Sequence, residues 1–179
     1  MRLKKRIKLI IGAIVILCII CIIVSCLMYT RPWTVEQRYP YLDFTRCVEI
    51  TCYCFPASGE PDQSFSVKSF SITSTDDGFY EMIDIIQKAV FKTRLRLLLP
   101  QETKMQTYSD GDYKWQVIFD FDAIDLPDGN IVSGEILCIS NFFEDCSFTF
   151  NGKTVQCTVE QREQWENKIM DTISKYLVG

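Results

Sequence analysis

Two cysteines separated by one residue, Cys52 and Cys54, have a spacing that suits thiol chemistry. Residues i and i+2 of an extended strand point to the same side, so two thiolates there can form a redox pair or bind a soft metal ion. The same positions continue an alternating apolar pattern that begins at Val48 and Ile50. The sequence therefore leaves two interpretations open, a redox or metal site and a pair of thiols packed in a core.

A turn motif predicts that a second pair of cysteines lies on adjacent strands. The dipeptide Asn151-Gly152 joins two alternating segments, 146–150 and 153–159, and favours a two-residue hairpin turn with positive φ at both positions. In the register set by this turn, Cys146 lies opposite Cys157, about 5.5 Å away between Cα atoms and within disulfide range. We predict a disulfide between them in an oxidising compartment, with two buried free thiols as the alternative.

An acidic segment before Gly129 offers oxygen ligands of the kind that Ca²⁺ prefers, and it contains Asp120, Asp122, Asp125 and Asp128. Its spacing departs from the EF-hand pattern, because Ile124 occupies a ligand position and Asp125 replaces the turn glycine. A solvated turn is the simpler interpretation. We therefore assign no metal ligand and no cofactor-binding residue from the sequence.

The residue types also limit catalysis. The chain has no histidine, which excludes Ser-His-Asp and Cys-His nucleophiles and HExxH metalloproteases. Neither glycine-rich phosphate-binding motif occurs, although carboxylate pairs of the glycosidase type depend on the fold and stay open. We predict a protein that is not an enzyme, with no catalytic residue and no cofactor.

An uncharged run of 20 residues, Leu9–Met28, is the strongest signal in the chain. As a helix it measures about 30 Å, which matches the hydrocarbon core of a bilayer. Five basic residues precede it and should stay in the cytoplasm, which sends the C-terminal part outward; they are Arg2, Lys4, Lys5, Arg6 and Lys8. We predict a membrane anchor over residues 1–30, either a signal-anchor helix or a lipoprotein signal peptide.

The two forms of anchor differ in what happens at Cys26. Residues 23–26 read Ile-Val-Ser-Cys and resemble a bacterial lipobox, in which the signal peptide is cleaved and the cysteine is lipidated. In the alternative, the helix is uncleaved and Cys18, Cys21 and Cys26 are ordinary apolar residues. Both forms place the following domain at the cell membrane on its extracytoplasmic side.

Beyond the anchor the chain is acidic. Removing the five N-terminal bases from the total of 19 leaves 14 basic residues against 23 acidic ones, a net charge of −9. Such a domain repels phosphate backbones, so we expect no nucleic-acid partner, and a cationic protein or peptide suits it better. No N-x-[ST] acceptor occurs, which favours a bacterial envelope.

The elements that position these residues form an α+β pattern. Residues 31–42 show no clear period and are predicted as a stalk, with Trp33 at the membrane interface. Residues 43–179 predict one domain, with strands over 44–55, 64–73, 93–99, 113–121, 131–140, 146–150 and 153–159 and helices over 74–91 and after 158. The apolar alternation of the second strand slips after Val67, which predicts a bulge near Lys68. Strict alternation around Trp115 predicts one covered and one wet face, and we expect two helices to cover an antiparallel sheet on one face.

From these features we expect a noncatalytic module of the bacterial cell envelope, with binding, accessory or sensing functions. The alternative is a thiol-based redox or metal-binding envelope protein that uses Cys52 and Cys54. Both hypotheses share the membrane segment over residues 9–28 as the point of attachment.

Overall fold

The computed structural model describes residues 2–56, 67–93, 113–141 and 146–177. The chain begins with helix α1, Arg2–Tyr29, as the uncharged run predicts. Its part Ile11–Tyr29 is long and apolar enough to cross a membrane, and none of it is buried against the rest of the structure. The N-terminal apolar helix is therefore confirmed.

The remaining described ranges form one antiparallel sheet with helices. The strands are β1 Cys47–Pro56, β2 Lys68–Thr73, β3 Phe91–Thr93, β4 Tyr113–Asp125, β5 Ile131–Ser140, β6 Cys146–Phe150 and β7 Lys153–Val159. The helices are α2 Val35–Arg38, α3 Asp77–Lys88 and α4 Arg162–Leu177, with a 3₁₀ turn over Phe44–Arg46. The seven strands lie in the order β2-β1-β4-β5-β6-β7-β3. This arrangement confirms the predicted α+β class.

Period-two alternation gives the sheet two unlike faces. The dry face carries buried side chains, among them Ile50, Cys52, Trp115, Val117, Phe119, Leu137, Ile139, Phe148 and Cys157. The wet face carries partly exposed residues from the same strands, among them Thr51, Tyr53, Gln116, Ile118, Cys138, Ser147, Thr149 and Gln156. One covered face and one wet face were expected from the alternation in β4, and both are present.

Helices α3 and α4 pack against each other and add apolar side chains to the core. Gly78 allows their close approach, because its backbone N donates to Tyr176 Oη at 2.9 Å and an added Cβ would lie 2.8 Å from that ring. Tyr176 also stacks on Phe70 of β2, with ring centroids 5.4 Å apart. The sequence predicted that these two helices cover one whole face of the sheet. In the described residues, their main contacts with the sheet are made to β2 and β7, which does not establish that they cover the whole face.

Local irregularities correct three details of the sequence analysis. In β1, Cys47 is buried and Val48 is 49 % exposed, because the register with β4 shifts between Cys47 and Glu49. No bulge occurs near Lys68, since the pairing of β1 with β2 runs continuously from Lys68 to Thr73. Helix α3 ends at Lys88 rather than near residue 91. The predicted strand over 93–99 lies outside the described residues beyond Thr93, as does most of 64–67.

The predicted stalk over residues 31–42 is wrong. Trp33 is 7 % exposed, and Val35 and Leu42 are buried as well. Residues 34–38 form a short capped helix, in which Gln37 N donates to Thr34 Oγ1 and Thr34 N donates to the Gln37 side chain. The chain is thus folded onto the sheet within four residues of the end of α1, and Trp33 is a core residue rather than a residue of the membrane interface.

Candidate functional site

The hairpin cysteines lie where the turn signal places them. Cys146 is the register partner of Cys157, and Asn151 and Gly152 have φ values of 44° and 72°. Both cysteines are buried free thiols in this structure, and Cys157 Sγ donates to the backbone oxygen of Cys146 at 3.5 Å. The hydrogen bond between the two thiols, together with burial, holds the pKa of Cys146 well above its usual range. The register is confirmed, and the disulfide stays a prediction.

The pair Cys52 and Cys54 lies on the dry face of β1, with exposed fractions of 0 % and 1 %. Burial raises the pKa of Cys52 to about 12 and that of Cys54 to about 11, although the charge of Lys68 opposes the second shift. A thiol reacts and binds metal as the thiolate, and both groups stay protonated at neutral pH. Their surroundings therefore favour packing over redox chemistry or metal binding.

The acidic segment that was weighed against a calcium site is divided between a strand and a turn. Its first three aspartates lie on β4, and Asp128 lies in the connection to β5. Asp125 forms an ion pair with Arg46 at 3.3 Å, while Asp128 accepts hydrogen bonds from Asn130 that lower the pKa of its carboxyl. Within the described ranges, no three cysteine or carboxylate side chains are grouped so that they could hold a metal ion.

The proposed lipidation site, Cys26, lies in the last turn of α1. It is a partly exposed free thiol, and its backbone oxygen accepts hydrogen bonds from the backbone N and the hydroxyl of Thr30 at 3.0 and 2.9 Å. This helical setting agrees with an uncleaved anchor as well as with the precursor of a lipoprotein. Lipidation of Cys26 stays a prediction.

A row of three carboxylates crosses neighbouring strands of the sheet. Asp120 on β4 is the register partner of Glu49 on β1 and of Glu135 on β5. All three residues are at least partly exposed, and like charges directly opposite each other destabilise a sheet. We call Glu49, Asp120 and Glu135 the acidic row. Its charge is unfavourable for the isolated fold and favourable for contact with a cation.

A groove of about 450 Å³ lies between α3 and α4 and is also predominantly acidic. Its charged lining consists of Glu81, Asp84, Glu160, Asp171, Lys88 and Lys168. Glu81 forms an ion pair with Lys175 at 2.6 Å, and Asp84 forms one with Lys88 at 2.7 Å. Trp165 adds a largely buried aromatic wall. Two of the four carboxylates of the groove are already paired with lysines.

The segment after α1 is fastened to the edge of the sheet. Backbone hydrogen bonds of 2.8 Å run in both directions between Trp33 and Phe91, whose rings stack at 4.9 Å. The hydroxyl of Thr93 accepts two further bonds, from Trp33 Nε1 at 3.0 Å and from Arg38 Nη1 at 2.8 Å. The Arg38 guanidinium also lies 4.5 Å above the Trp33 ring. We call Trp33, Arg38, Phe91 and Thr93 the N-terminal clasp.

The chain continues from the clasp across the dry face. Tyr39 stacks on Phe148 and Phe150, with ring centroids 5.6 and 4.4 Å apart. Burial raises the pKa of the Tyr39 hydroxyl, an effect that the neighbouring Arg38 charge opposes. Phe44 then packs edge-on against Phe119 of β4. Residues between the anchor and β1 are therefore part of the core.

Sequence reasoning missed both the acidic row and the clasp. The members of the row come from three strands, so only the register brings them together. In the clasp, Trp33 and Thr93 are 60 residues apart, and no periodic pattern connects them. The capping pair Thr34 and Gln37 was a usable local signal, because it indicates a short helix where a stalk was predicted.

Comparison with known proteins identifies no relative of this chain. No protein-family model, no curated protein and no solved structure matches it.

Proposed function

We propose that this protein is a noncatalytic binding, accessory or sensing module, which α1 holds at the bacterial cell membrane with the α+β domain on the extracytoplasmic side. The observation that carries this proposal is the uncovered apolar surface of Ile11–Tyr29. Ile16 and Leu17, for example, are 60 % and 61 % exposed. A helix with apolar residues on all sides is stable in hydrocarbon rather than in water.

The orientation follows from charge. The bases that precede the apolar run favour a cytoplasmic N-terminus, and no acidic residue occurs before Glu36. The domain that follows carries a net charge of −9, counted from 14 basic and 23 acidic residues. The partner that suits this domain is a protein or peptide with basic side chains, because both the acidic row and the α3–α4 groove present carboxylates.

Fractionation of bacterial membranes tests the anchor. The full-length protein should stay in the pellet after alkaline carbonate extraction, and a variant with Ile16→Lys and Ile20→Lys should be released, because each lysine at the centre of the helix costs about 3 kcal/mol in insertion. Ile16→Leu with Ile20→Leu is the matched control. The mass of the mature N-terminus then separates an uncleaved helix from a lipidated Cys26. Full-length protein in the soluble fraction would refute the proposal.

Partner binding is tested in the intact membrane with an amine-reactive cross-linker, whose reaction sites the variants leave unchanged. A variant that carries Glu49→Gln, Asp120→Asn and Glu135→Gln should lose the cross-linked product, because it removes the negative charge of the acidic row. Asp122→Asn, which removes an exposed charge of β4 outside the row, is the control. An unchanged product in the triple variant would show that the row is not the binding surface.

The alternative function, thiol-based redox or metal binding at Cys52 and Cys54, predicts a different result. If the pair is catalytic, both thiols should react with an alkylating agent in the folded protein at neutral pH. If the pair is packed in the core, modification should require denaturant, because burial keeps both groups protonated. Mass spectrometry before and after denaturation decides between the two.

A further inference from the structure

The connection between the anchor and the domain is very short. Helix α1 ends at Tyr29, and Trp33 is already hydrogen-bonded to Phe91 of β3. Four residues of fully extended chain reach at most about 14 Å. The clasped edge of the sheet therefore cannot lie farther than about 14 Å from the end of the helix.

The N-terminal clasp keeps this connection from lengthening. Release of Trp33 would break two backbone hydrogen bonds with Phe91, the ring stack between them and the bond from Nε1 to Thr93. A buried donor or acceptor that loses its partner costs about 1 to 3 kcal/mol. The attachment point is thus part of the folded domain, and the short tether persists as long as the domain is folded.

We propose that the sheet stands with its β3 edge against the lipid headgroups and its β2 edge away from the membrane. This inference rests on the proposed membrane anchor. The two edges are separated by six strand spacings, about 29 Å at 4.8 Å each. Since β3 is within about 14 Å of the helix end, the opposite edge projects well beyond the headgroup layer.

The charges of the domain support this orientation. Arg31 and Lys92, both exposed, lie at the tethered edge, together with the carboxylates Glu36 and Glu160. With Arg38 of the clasp, the described charges at this edge are three basic and two acidic, a net charge of +1, whereas the anchored domain as a whole has a net charge of −9 from 14 basic and 23 acidic residues. An anionic membrane surface therefore repels the acidic parts of the domain more strongly than this edge.

The orientation also leaves the partner surfaces accessible. The acidic row lies on β1, β4 and β5, the second, third and fourth of the seven described strands counted from the β2 edge. A basic partner can therefore approach the row from the extracytoplasmic space without displacing lipid. If the tether began at a lipidated Cys26, seven residues would reach at most about 25 Å, still less than the width of the sheet.

Fluorescence quenching by headgroup-labelled lipids tests the orientation. An azide-bearing amino acid replaces Lys92 on β3 or Ser69 on β2, and each is coupled to the same fluorophore in the full-length protein reconstituted into vesicles with nitroxide headgroups. Both positions are exposed and lie on the wet face, at opposite edges of the sheet. We expect position 92 to lose most of its fluorescence and position 69 to lose little.

Equal quenching at both positions, stronger quenching at position 69 or no quenching at either would overturn the orientation. If the protein does not enter the vesicles, the proposed anchor fails, and this outcome is distinct from an anchored protein with the wrong orientation. Insertion of twelve glycine and serine residues between Thr30 and Arg31, with a mean span of about 20 Å, should weaken the quenching at position 92. Quenching that is unaffected by the insertion would overturn the role given to the short tether.

Discussion

The two faces of the sheet are built from the same strands but differ in burial, polarity and charge. On the dry face, aromatic rings pack in contact, as Trp115 does with Trp165 at 5.5 Å between centroids. On the wet face, hydroxyl groups pair across strands, as in Thr149 with Thr154 at 2.9 Å. The dry face holds the described part of the domain together, whereas the wet-face side chains are at least partly exposed and contribute less to stability.

Charge follows the same division. In the described strands, the dry face carries buried thiols and no pair of acidic residues opposite each other, whereas on the wet face Asp120 lies between Glu49 and Glu135. The binding role proposed for the acidic row rests on this unfavourable arrangement of charges. Four measurements can break or sharpen this contrast.

The largest effect is expected for Trp115→Ala, which should lower the free energy of unfolding by about 3 to 5 kcal/mol through the loss of a fully buried ring and the resulting cavity. Chemical denaturation of the full chain in detergent micelles, followed by circular dichroism, measures it. The wet-face variant Gln116→Ala should lower the free energy of unfolding by about 1 kcal/mol or less, since it loses the partly exposed hydrogen bond from Gln116 Nε2 to Cys138 Sγ. Equal costs for the two variants would abolish the distinction between the faces.

The pH dependence of stability tests the buried thiols. The pKa of Cys52 is about 12 in the folded chain and ordinarily 9.0, so above pH 9 the unfolded chain loses a proton that the folded chain keeps. The free energy of unfolding should then fall by about 1.4 kcal/mol per pH unit from this thiol. Between pH 8 and 10.5, Cys52→Ala should reduce the total fall by about 2 kcal/mol. Cys138→Ala, on the wet face, should reduce it less.

Trp33→Phe tests whether the segment after α1 belongs to the dry face. The substitution keeps an aromatic ring against Phe91 but removes the donor to Thr93, and we expect a loss of about 1 kcal/mol. Glu36→Gln, an exposed change in the same segment, should leave the denaturation midpoint unchanged. If Trp33→Phe had the same denaturation midpoint as the unaltered protein, this result would contradict the packing of the segment.

The smallest effect has the opposite sign. Asp120→Asn should raise the free energy of unfolding by about 0.5 kcal/mol, because it relieves repulsion from Glu49 and Glu135. The gain should shrink at high salt, where exposed charges are screened. Asp122→Asn serves as the control, and a loss of stability in Asp120→Asn would show that the carboxylate has a structural partner.

Local patterns in the sequence predicted the regular elements well. Strands β5, β6 and β7 have the predicted bounds, and the Asn151-Gly152 turn fixed the pairing of Cys146 with Cys157. Alternation and turn chemistry are properties of neighbouring residues, so they can be read without knowing the fold. Register shifts cannot be read from neighbouring residues. The shift between Cys47 and Glu49 is why the exposed Val48 was predicted to lie on the buried face.

The candidate sites depend on contacts that the sequence does not indicate. Trp33 was assigned to a membrane interface because its partners, Phe91 and Thr93, lie far along the chain. The thiols of Cys52 and Cys54 have a suggestive spacing, but their burial is a property of the assembled sheet. Composition predicted the acidic character of the domain, whereas the acidic row required the register of three strands.

The strand order has a consequence for how the protein is made. Strand β3 lies between β2 and β4 in sequence, yet its neighbour in the sheet is β7, with Lys92 opposite Thr158. During synthesis of the chain, β3 has no strand of the described sheet to pair with until β7 has been made. Folding of the domain must therefore wait for its last strand, and a chain truncated before residue 153 should be degraded rapidly by proteases.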